Sequence, residues 1–289
     1  MGKTLADSFP EAARIFAQAD DALGFALSRL CFDGPDDQLK LTENQQPALL
    51  TVSVAAHAVL AERGISAVYV AGHSLGEYSA LVAAGSLDFA DAVRLVRKRG
   101  RYMQEAVPEG VGAMAALLKL PSGKLEAILS EAGQGEIVTP AGLNSPDQIV
   151  IAGHTAAVNR AMELAKAAGA RRAMLLPVSA PFHCPLLKPA QDRMKPELDA
   201  TEFRALTIAL VNNWQAREIH TGAEAREGLY HQIPNPVRWS ESIRLIASRG
   251  VTRFIEVGAG AALTGMLRNI DPELTGVKFG EAADLEKLA

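Results

Sequence analysis

Residues 71 to 80 read Ala-Gly-His-Ser-Leu-Gly-Glu-Tyr-Ser-Ala, and this stretch decides how the rest of the sequence is interpreted. Within it, Gly72 to Gly76 matches the pattern Gly-x-Ser-x-Gly. Residues 65–70 before it are apolar or β-branched and predict a buried strand, and residues 78–84 after it are typical of a helix. A strand, a sharp turn and a helix form a nucleophile elbow, which lifts a serine hydroxyl above a sheet. The pattern therefore predicts that Ser74 is a nucleophile.

The residues around Ser74 fit the same interpretation. We expect glycine at 72 and 76 because a tight turn and close strand–helix packing leave no room for side chains. The backbone N–H of Leu75 lies at the start of the predicted helix, where it can stabilise a developing oxyanion. The sequence thus predicts acyl chemistry at this turn.

Composition limits the classes of protein that remain. The chain has 289 residues, is 48% hydrophobic and carries a net charge of -4, which does not favour nucleic-acid binding. No apolar run is long enough to span a membrane, and the first residues lack the apolar region of a secretory signal. The two cysteines, Cys31 and Cys184, have no metal-type spacing. We expect a cytoplasmic protein without a bound metal or cofactor.

The pattern of predicted elements indicates an α/β fold with two subdomains. Predicted helices cover 8–30, 47–63, 89–104, 240–248 and 261–269, with further strands at 207–212 and 252–257. Between them, residues 112–178 predict the order β-α-β-β-α-β, which is the ferredoxin-like arrangement. We expect an α/β-hydrolase-like subdomain with a parallel sheet at 1–109 and 180–289. The ferredoxin-like subdomain is then inserted at 110–179.

A nucleophilic serine needs a base, and the chain offers six histidines. His183 lies in a loop between two prolines, where the predicted small subdomain rejoins the large one, and such a junction is a common place for a pocket. The residues alone leave His183 as a candidate among several. On the helix at 89–104, Arg97 and Arg99 flank the apolar face on opposite edges. Helix geometry does not choose between them.

The string Gly72 to Gly85 resembles the malonyl-CoA:acyl carrier protein transacylases and the related acyltransferase domains of polyketide and fatty acid synthases. Further matching motifs lie in family order along nearly the whole chain. They are Gln46-Pro47-Ala48-Leu49, Arg99 to Gln104, Asn144-Ser145-Pro146, Phe182-His183, Asn235 to Trp239 and Glu256-Val257-Gly258.

The resemblance implies a role for each matching residue. It implies that His183 is the base of Ser74, held by the main-chain carbonyl of Gln232, and that Arg99 grips the carboxylate of a malonyl group. A guanidinium fork matches a carboxylate in geometry and charge. Phe182 matches a residue linked to malonyl preference. Substrate contacts are also expected from Gln46, Asn144 and His73.

The resemblance also implies the reaction and its partners. The expected activity is transfer of malonyl from malonyl-CoA to the phosphopantetheine thiol of acyl carrier protein through a malonyl-serine intermediate, in fatty acid biosynthesis. A serine hydrolase such as a thioesterase is one alternative. A catalytically impaired protein that only binds carrier protein is another.

One departure from the family concerns the N-terminus. The family begins with a strand and a Gly-Gln-Gly-Ser-Gln loop that supplies a second oxyanion N–H, whereas this sequence starts where the family enters its first helix. We expect a sheet that lacks one strand and an oxyanion hole with only the Leu75 N–H. Loss of one such donor costs about 3 kcal/mol, so we expect slow transfer and lower thermal stability than in a version extended upstream.

Overall fold

The computed structural model describes residues 1–178 and 180–288. The α-helices in these ranges are α1 (Lys3–Ser8), α2 (Pro10–Leu23), α3 (Leu27–Asp33), α4 (Asp36–Lys40), α5 (Thr42–Glu62), α6 (Gly76–Ala83), α7 (Phe89–Glu105), α8 (Leu125–Gly133), α9 (Thr155–Ala167), α10 (Lys188–Asp199), α11 (Gly222–Gln232), α12 (Trp239–Ser248) and α13 (Ala262–Ile270). The strands are β1 (Tyr69–Val70), β2 (Gly112–Leu118), β3 (Val138–Ser145), β4 (Gln148–His154), β5 (Arg172–Leu175), β6 (Ala209–Val211), β7 (Glu218–Ile219), β8 (Arg253–Val257) and β9 (Thr275–Phe279).

The small sheet has the topology that the sequence predicts. Its strand order is β3-β4-β2-β5 with every neighbouring pair antiparallel, and α8 and α9 pack on it around a separate apolar cluster. This is the ferredoxin-like arrangement. A Cβ at Gly153 would lie 2.0 Å from the carbonyl oxygen of Ile137, so only glycine permits the β3–β4 approach there. The predicted fold class is confirmed.

The large layer contains two sheets rather than one. Strands β1 and β6 are parallel, and β7 adds antiparallel to β6; β8 and β9 form a separate parallel pair. The parallel pairs agree with the predicted α/β layer. The antiparallel strand β7 does not, because the connection from β6 to β7 is too short for the crossover that a parallel neighbour needs.

The N-terminal helical region is divided where the sequence predicts one helix over 8–30. Helix α2 begins at Pro10 and ends before Gly24, whose φ of 71° is the left-handed conformation that commonly closes a helix. Helix α5 begins a turn earlier than predicted and carries Pro47 in its interior. The earlier start places Gln46 inside the helix and buries it.

Helices α10 and α11 were missed by the sequence interpretation. Helix α11 starts at a capping box, in which the Thr221 side chain accepts from the Glu224 N–H and the Glu224 side chain accepts from the Thr221 N–H. This Thr-x-x-Glu pattern is visible in the sequence. Its importance lies at the other end of the helix, where Gln232 is the last residue.

The core of the large layer is built from α2, α5 and α7. Helix α5 buries residues on all sides, and α7 buries its predicted apolar face together with Arg99. None of the helices in the described part of the chain is long and apolar enough to cross a membrane. The boundaries between the two predicted subdomains, at 109–110 and 179–180, stay a prediction. Ser179 and Ala289, which also delimit the predicted subdomains, lie outside the described residues.

Gly100 provides a test of how closely α7 and α5 must approach. A Cβ at Gly100 would lie 2.4 Å from the carbonyl oxygen of Thr42 and 2.8 Å from the Cα of Glu43. We expect Gly100→Ala to lower the free energy of unfolding by about 1–3 kcal/mol, because the two helices must separate. Denaturant unfolding measures this change.

Gly265→Ala is the matched control, since it also replaces a helical glycine but meets no atom within 4 Å. Alanine is the better helix former, so this variant is expected to gain up to about 1 kcal/mol. Equal destabilisation by the two substitutions would contradict the proposed steric limit.

Candidate active site

The elbow has the order of strand, turn and helix that its sequence predicts, but β1 spans only Tyr69–Val70 and is half-buried rather than buried. Ser74 follows β1 at a φ of 54°, and α6 begins two residues later. A Cβ at Gly72 would lie 1.9 Å from the carbonyl carbon and oxygen of Gly76, so the turn requires glycine at 72. At Gly76 a Cβ would meet no atom within 4 Å, so packing does not explain the second glycine.

The structure brings His183 to Ser74. The Ser74 Oγ and His183 Nε2 lie 2.7 Å apart, and His183 Nδ1 lies 3.0 Å from the main-chain oxygen of Gln232. The carbonyl can only accept a hydrogen bond, so it places the ring proton on Nδ1. Nε2 is then free to accept the serine proton. These three residues form the arrangement that the resemblance implies.

His183 is buried, and burial is the main reason why its pKa falls to about 3. The positive charge of Arg99 lowers it further, while the hydrogen bond to the Gln232 carbonyl raises it. The imidazole is therefore neutral at neutral pH, which is the state that a general base requires.

Leu75 contributes a backbone donor beside the nucleophile. Leu75 is the N-cap residue of α6, and no described residue accepts a hydrogen bond from its N–H. An unpaired N–H at a helix start is suited to an oxyanion.

The structure resolves the choice between the two arginines. Arg97 lies over the ring of Phe25, 4.3 Å from the ring centroid, whereas Arg99 points to the elbow and is 1% exposed. The Arg99 Nη1 donates to Gln46 Oε1 at 2.7 Å. Its Nη2 donates to Gln232 Oε1 at 2.8 Å and to Ser74 Oγ at 3.0 Å.

The charge of Arg99 has no direct partner. In residues 1–178 and 180–288, no carboxylate oxygen lies within ion-pair distance of the guanidinium, and its Nε has no hydrogen-bond acceptor. A buried cation without an anion is costly. An anion beside Arg99 would offset this cost.

A cavity of about 360 Å³ opens at Ser74 between α5, α7 and the small sheet. Its walls include every side chain predicted to contact substrate: Gln46, His73, Arg99, Asn144 and Phe182. His73 Nε2 lies 2.8 Å from Asn144 Oδ1, so these two side chains contact each other on one wall. Apolar residues of the small sheet, including Met114 and Val150, line the same cavity.

Two residues of the site were missed by the sequence interpretation. Asn213 accepts from the Ser74 N–H and donates to the Gly72 carbonyl, both at 2.7 Å, and so holds the elbow on both sides. Glu77 is fully buried beside it. Glu77 stood within the elbow motif, directly before the predicted helix, and only its burial distinguishes it from a surface carboxylate.

Three or more His, Cys, Asp or Glu side chains do not come together as a possible metal site anywhere in the described residues.

A serine on a strand–turn–helix elbow, hydrogen-bonded to a neutral histidine, is the arrangement of enzymes that form acyl-serine intermediates. The family model described as "Acyl transferase domain" matches residues 1–275. The chain belongs to this family and is an acyltransferase.

Characterised relatives cover almost the whole chain. It is 48% identical over 278 residues to the malonyl CoA-acyl carrier protein transacylase of Escherichia coli strain K12, which covers 96% of this chain and 90% of the relative. The enzyme of the same name from Bacillus subtilis strain 168 is 45% identical, covering 99% of this chain and 90% of the relative. The resemblance inferred from the motifs is confirmed.

Solved structures agree with these relatives. An acyl carrier protein S-malonyltransferase from Vibrio cholerae superimposes with a TM-score of 0.97 at 42% identity, covering 100% of this chain and 95% of that one. A type II PKS acyl-carrier protein in complex with its malonyl-transacylase matches with a TM-score of 0.95 at 44% identity, covering 98% of this chain and 92% of that one.

The neutral state of His183 can be tested by NMR. We expect its ring to stay unprotonated well below the ordinary histidine pKa of 6.5, since burial and Arg99 both oppose a second proton. Because the unfolded chain binds that proton and the folded chain does not, this group makes folding less favourable as pH falls below that value. A side-chain titration, with the signal assigned by its loss in His183→Gln, measures the pKa. A midpoint near 6.5 would contradict the expectation.

Proposed function

We propose that this acyltransferase moves malonyl from malonyl-CoA to the phosphopantetheine thiol of acyl carrier protein, in fatty acid biosynthesis in the cytoplasm. One observation carries the choice of acyl group. Arg99 places a buried, unpaired positive charge 3.0 Å from the nucleophilic oxygen. A short acyl chain that ends in a carboxylate supplies the missing anion.

In the first half-reaction, Ser74 Oγ attacks the thioester carbonyl while His183 Nε2 takes its proton. The carbonyl oxygen becomes negative and is stabilised by the Leu75 N–H. When the tetrahedral intermediate collapses, the coenzyme A sulfur leaves and receives the proton from His183. The product is a malonyl ester on Ser74.

In the second half-reaction, the phosphopantetheine thiol gives its proton to His183 and attacks the ester. The serine oxygen leaves and is reprotonated by His183, which regenerates the free enzyme. The Gln232 carbonyl stabilises the imidazolium less than a carboxylate would. A thiolate is a good leaving group, so the weaker acceptor suffices for thioester exchange.

The cavity walls support selection of a short, acidic acyl group. Arg99 holds the carboxylate, and its contacts with Gln46 and Gln232 fix the guanidinium in place. A fixed cation discriminates against uncharged acyl groups because binding them leaves it unpaired. We assign Phe182 to limiting the acyl size and the contacting pair His73 and Asn144 to holding the substrate beside the elbow.

Acyl carrier protein is the proposed acceptor because the relatives named above carry it in their names and one solved relative is bound to it. A hydrolase would release malonate to water instead. A protein that only binds carrier protein would form no ester. Incubation with labelled malonyl-CoA, with and without holo carrier protein, separates all three, because only the proposed transferase passes the label to the thiol faster than to water.

Charge selection by Arg99 gives the sharpest test of the function. We expect Arg99→Ala to reduce malonyl transfer by about 2–4 kcal/mol in transition-state free energy, while acetyl transfer falls far less. The measurement is kcat/KM for malonyl-CoA and acetyl-CoA with the same carrier protein.

Arg97→Ala is the matched control, because it removes the same charge two residues away on the same helix without touching the site. An equal loss for both acyl donors in Arg99→Ala would mean that the arginine is structural.

A further inference from the structure

Three buried polar side chains form a closed cluster behind the elbow: Glu77, Asn213 and Gln232, here called the elbow cluster. All three are fully buried. Gln232 Nε2 donates to Glu77 Oε2 at 2.8 Å and to the Ser74 carbonyl at 2.9 Å, and the Asn213 N–H donates to Glu77 Oε2 at 3.1 Å. Glu77 is the only ionisable member, and the proposed reaction gives it no role.

Glu77 fixes the direction of the Gln232 amide. An ionised carboxylate only accepts hydrogen bonds, and a guanidinium only donates them. Gln232 lies between the two, so its NH₂ must face Glu77 and its oxygen must face Arg99. The chain of contacts runs from Glu77 through Gln232 to Arg99 Nη2 and on to the Ser74 oxygen.

Within residues 1–178 and 180–288, Arg99 is the positive charge that acts on the Glu77 carboxylate. Burial raises the pKa of this carboxyl to about 7, and the hydrogen bonds from Gln232 and Asn213 and the positive charge of Arg99 oppose the rise. Its second oxygen, Oε1, has no hydrogen-bond partner and faces Gly228 on α11, where a built Cβ would lie 3.6 Å away. The carboxylate is thus held on one side only, the side that leads to Arg99.

We propose that Glu77 is a positioning residue for malonyl selection: through Gln232 its carboxylate orients the Arg99 guanidinium and offsets its charge until the substrate carboxylate arrives. This inference rests on the proposed function. In the free enzyme, the Glu77 carboxylate is separated from the Arg99 guanidinium only by the Gln232 amide. The carboxylate of a bound malonyl group competes with Glu77 for the charge of Arg99.

Binding of malonyl should also change the protonation of Glu77. When a second carboxylate reaches Arg99, the electrostatic support of Glu77 weakens and its affinity for a proton rises. The groups that face Glu77 are Arg99 from α7, Tyr78 beside it on α6, and the neutral amides of Asn213 and Gln232. Burial raises the pKa of Tyr78 to about 12, so Glu77 is the member of this set that titrates near neutral pH.

Glu77→Gln tests the charge with little change in shape. A glutamine oxygen at the Oε2 position keeps both hydrogen bonds, and its NH₂ falls where Oε1 has no partner. Arg99 then attracts malonyl more strongly. At about pH 8 we expect the KM for malonyl-CoA to fall about 3–10-fold, while the inhibition constant of acetyl-CoA changes by less than about twofold. Toward about pH 6, Glu77 of the wild type is protonated and uncharged. The KM values of the two proteins for malonyl-CoA should therefore become equal.

Glu197→Gln is the matched control. Glu197 pairs with Lys98 and accepts from Tyr102 on the same helix as Arg99, but it makes no contact with the elbow cluster. The KM of this control variant for malonyl-CoA should be unchanged. An unchanged malonyl-CoA KM in Glu77→Gln, or equal shifts for both acyl donors, would overturn the proposal. A wild-type enzyme without malonyl preference would instead refute the proposed function.

A second measurement keeps the proposal testable if Glu77→Gln does not fold. Calorimetric titration of Ser74→Ala in two buffers of different ionisation enthalpy measures protons taken up on binding. We expect uptake near neutral pH with malonyl-CoA and none beyond the shared coenzyme contribution with acetyl-CoA. Identical uptake for the two ligands would overturn the proposal.

Discussion

The site depends on how one residue, Gln232, is held. Its main-chain carbonyl sets the tautomer of His183, its side-chain oxygen receives Arg99, and its side-chain nitrogen binds the Ser74 carbonyl. The base, the cation and the nucleophile are therefore fixed to the same residue at the end of α11. The capping box that begins this helix is thus part of the active-site architecture, although it lies at the far end of the helix.

The electrostatic design follows from burial. A buried cation would lower the pKa of any nearby base, and it does so at His183. The neutral imidazole is useful for proton abstraction, but its protonation during the reaction is unfavourable until negative charge develops on the substrate. The negative substrate carboxylate and the developing oxyanion both reduce this cost. Ligand charge and catalysis are coupled through one guanidinium.

The nucleophile and the base both lie on unusual backbone conformations. Ser74 and His183 both adopt positive φ, at 54° and 59°, which is unfavourable for residues with a side chain. Asn213 holds the backbone turn at Ser74 by its two 2.7 Å hydrogen bonds. The Gln232 carbonyl fixes the ring of His183 through Nδ1. Strained residues persist only where surrounding contacts determine them, and at Ser74 these contacts come from the buried amide of Asn213.

The sequence by itself determined the elbow, the ferredoxin-like order of elements and the identity of the family, because each is written in local pattern: a short motif, alternating periodicities and separate motifs in order. Helix periodicity left Arg97 and Arg99 equivalent, and Arg99 was chosen only through the family resemblance. The sequence interpretation also missed Glu77 and Asn213 and joined α2 and α3 into one helix. The tertiary structure gave the physical basis for choosing Arg99 over Arg97, and it alone revealed the other points. Whether a charged residue is solvated or buried depends on which elements cover it, and those elements lie over a hundred residues away in the chain. Periodicity reports one face of one helix, whereas a buried polar cluster is a property of several elements packed together.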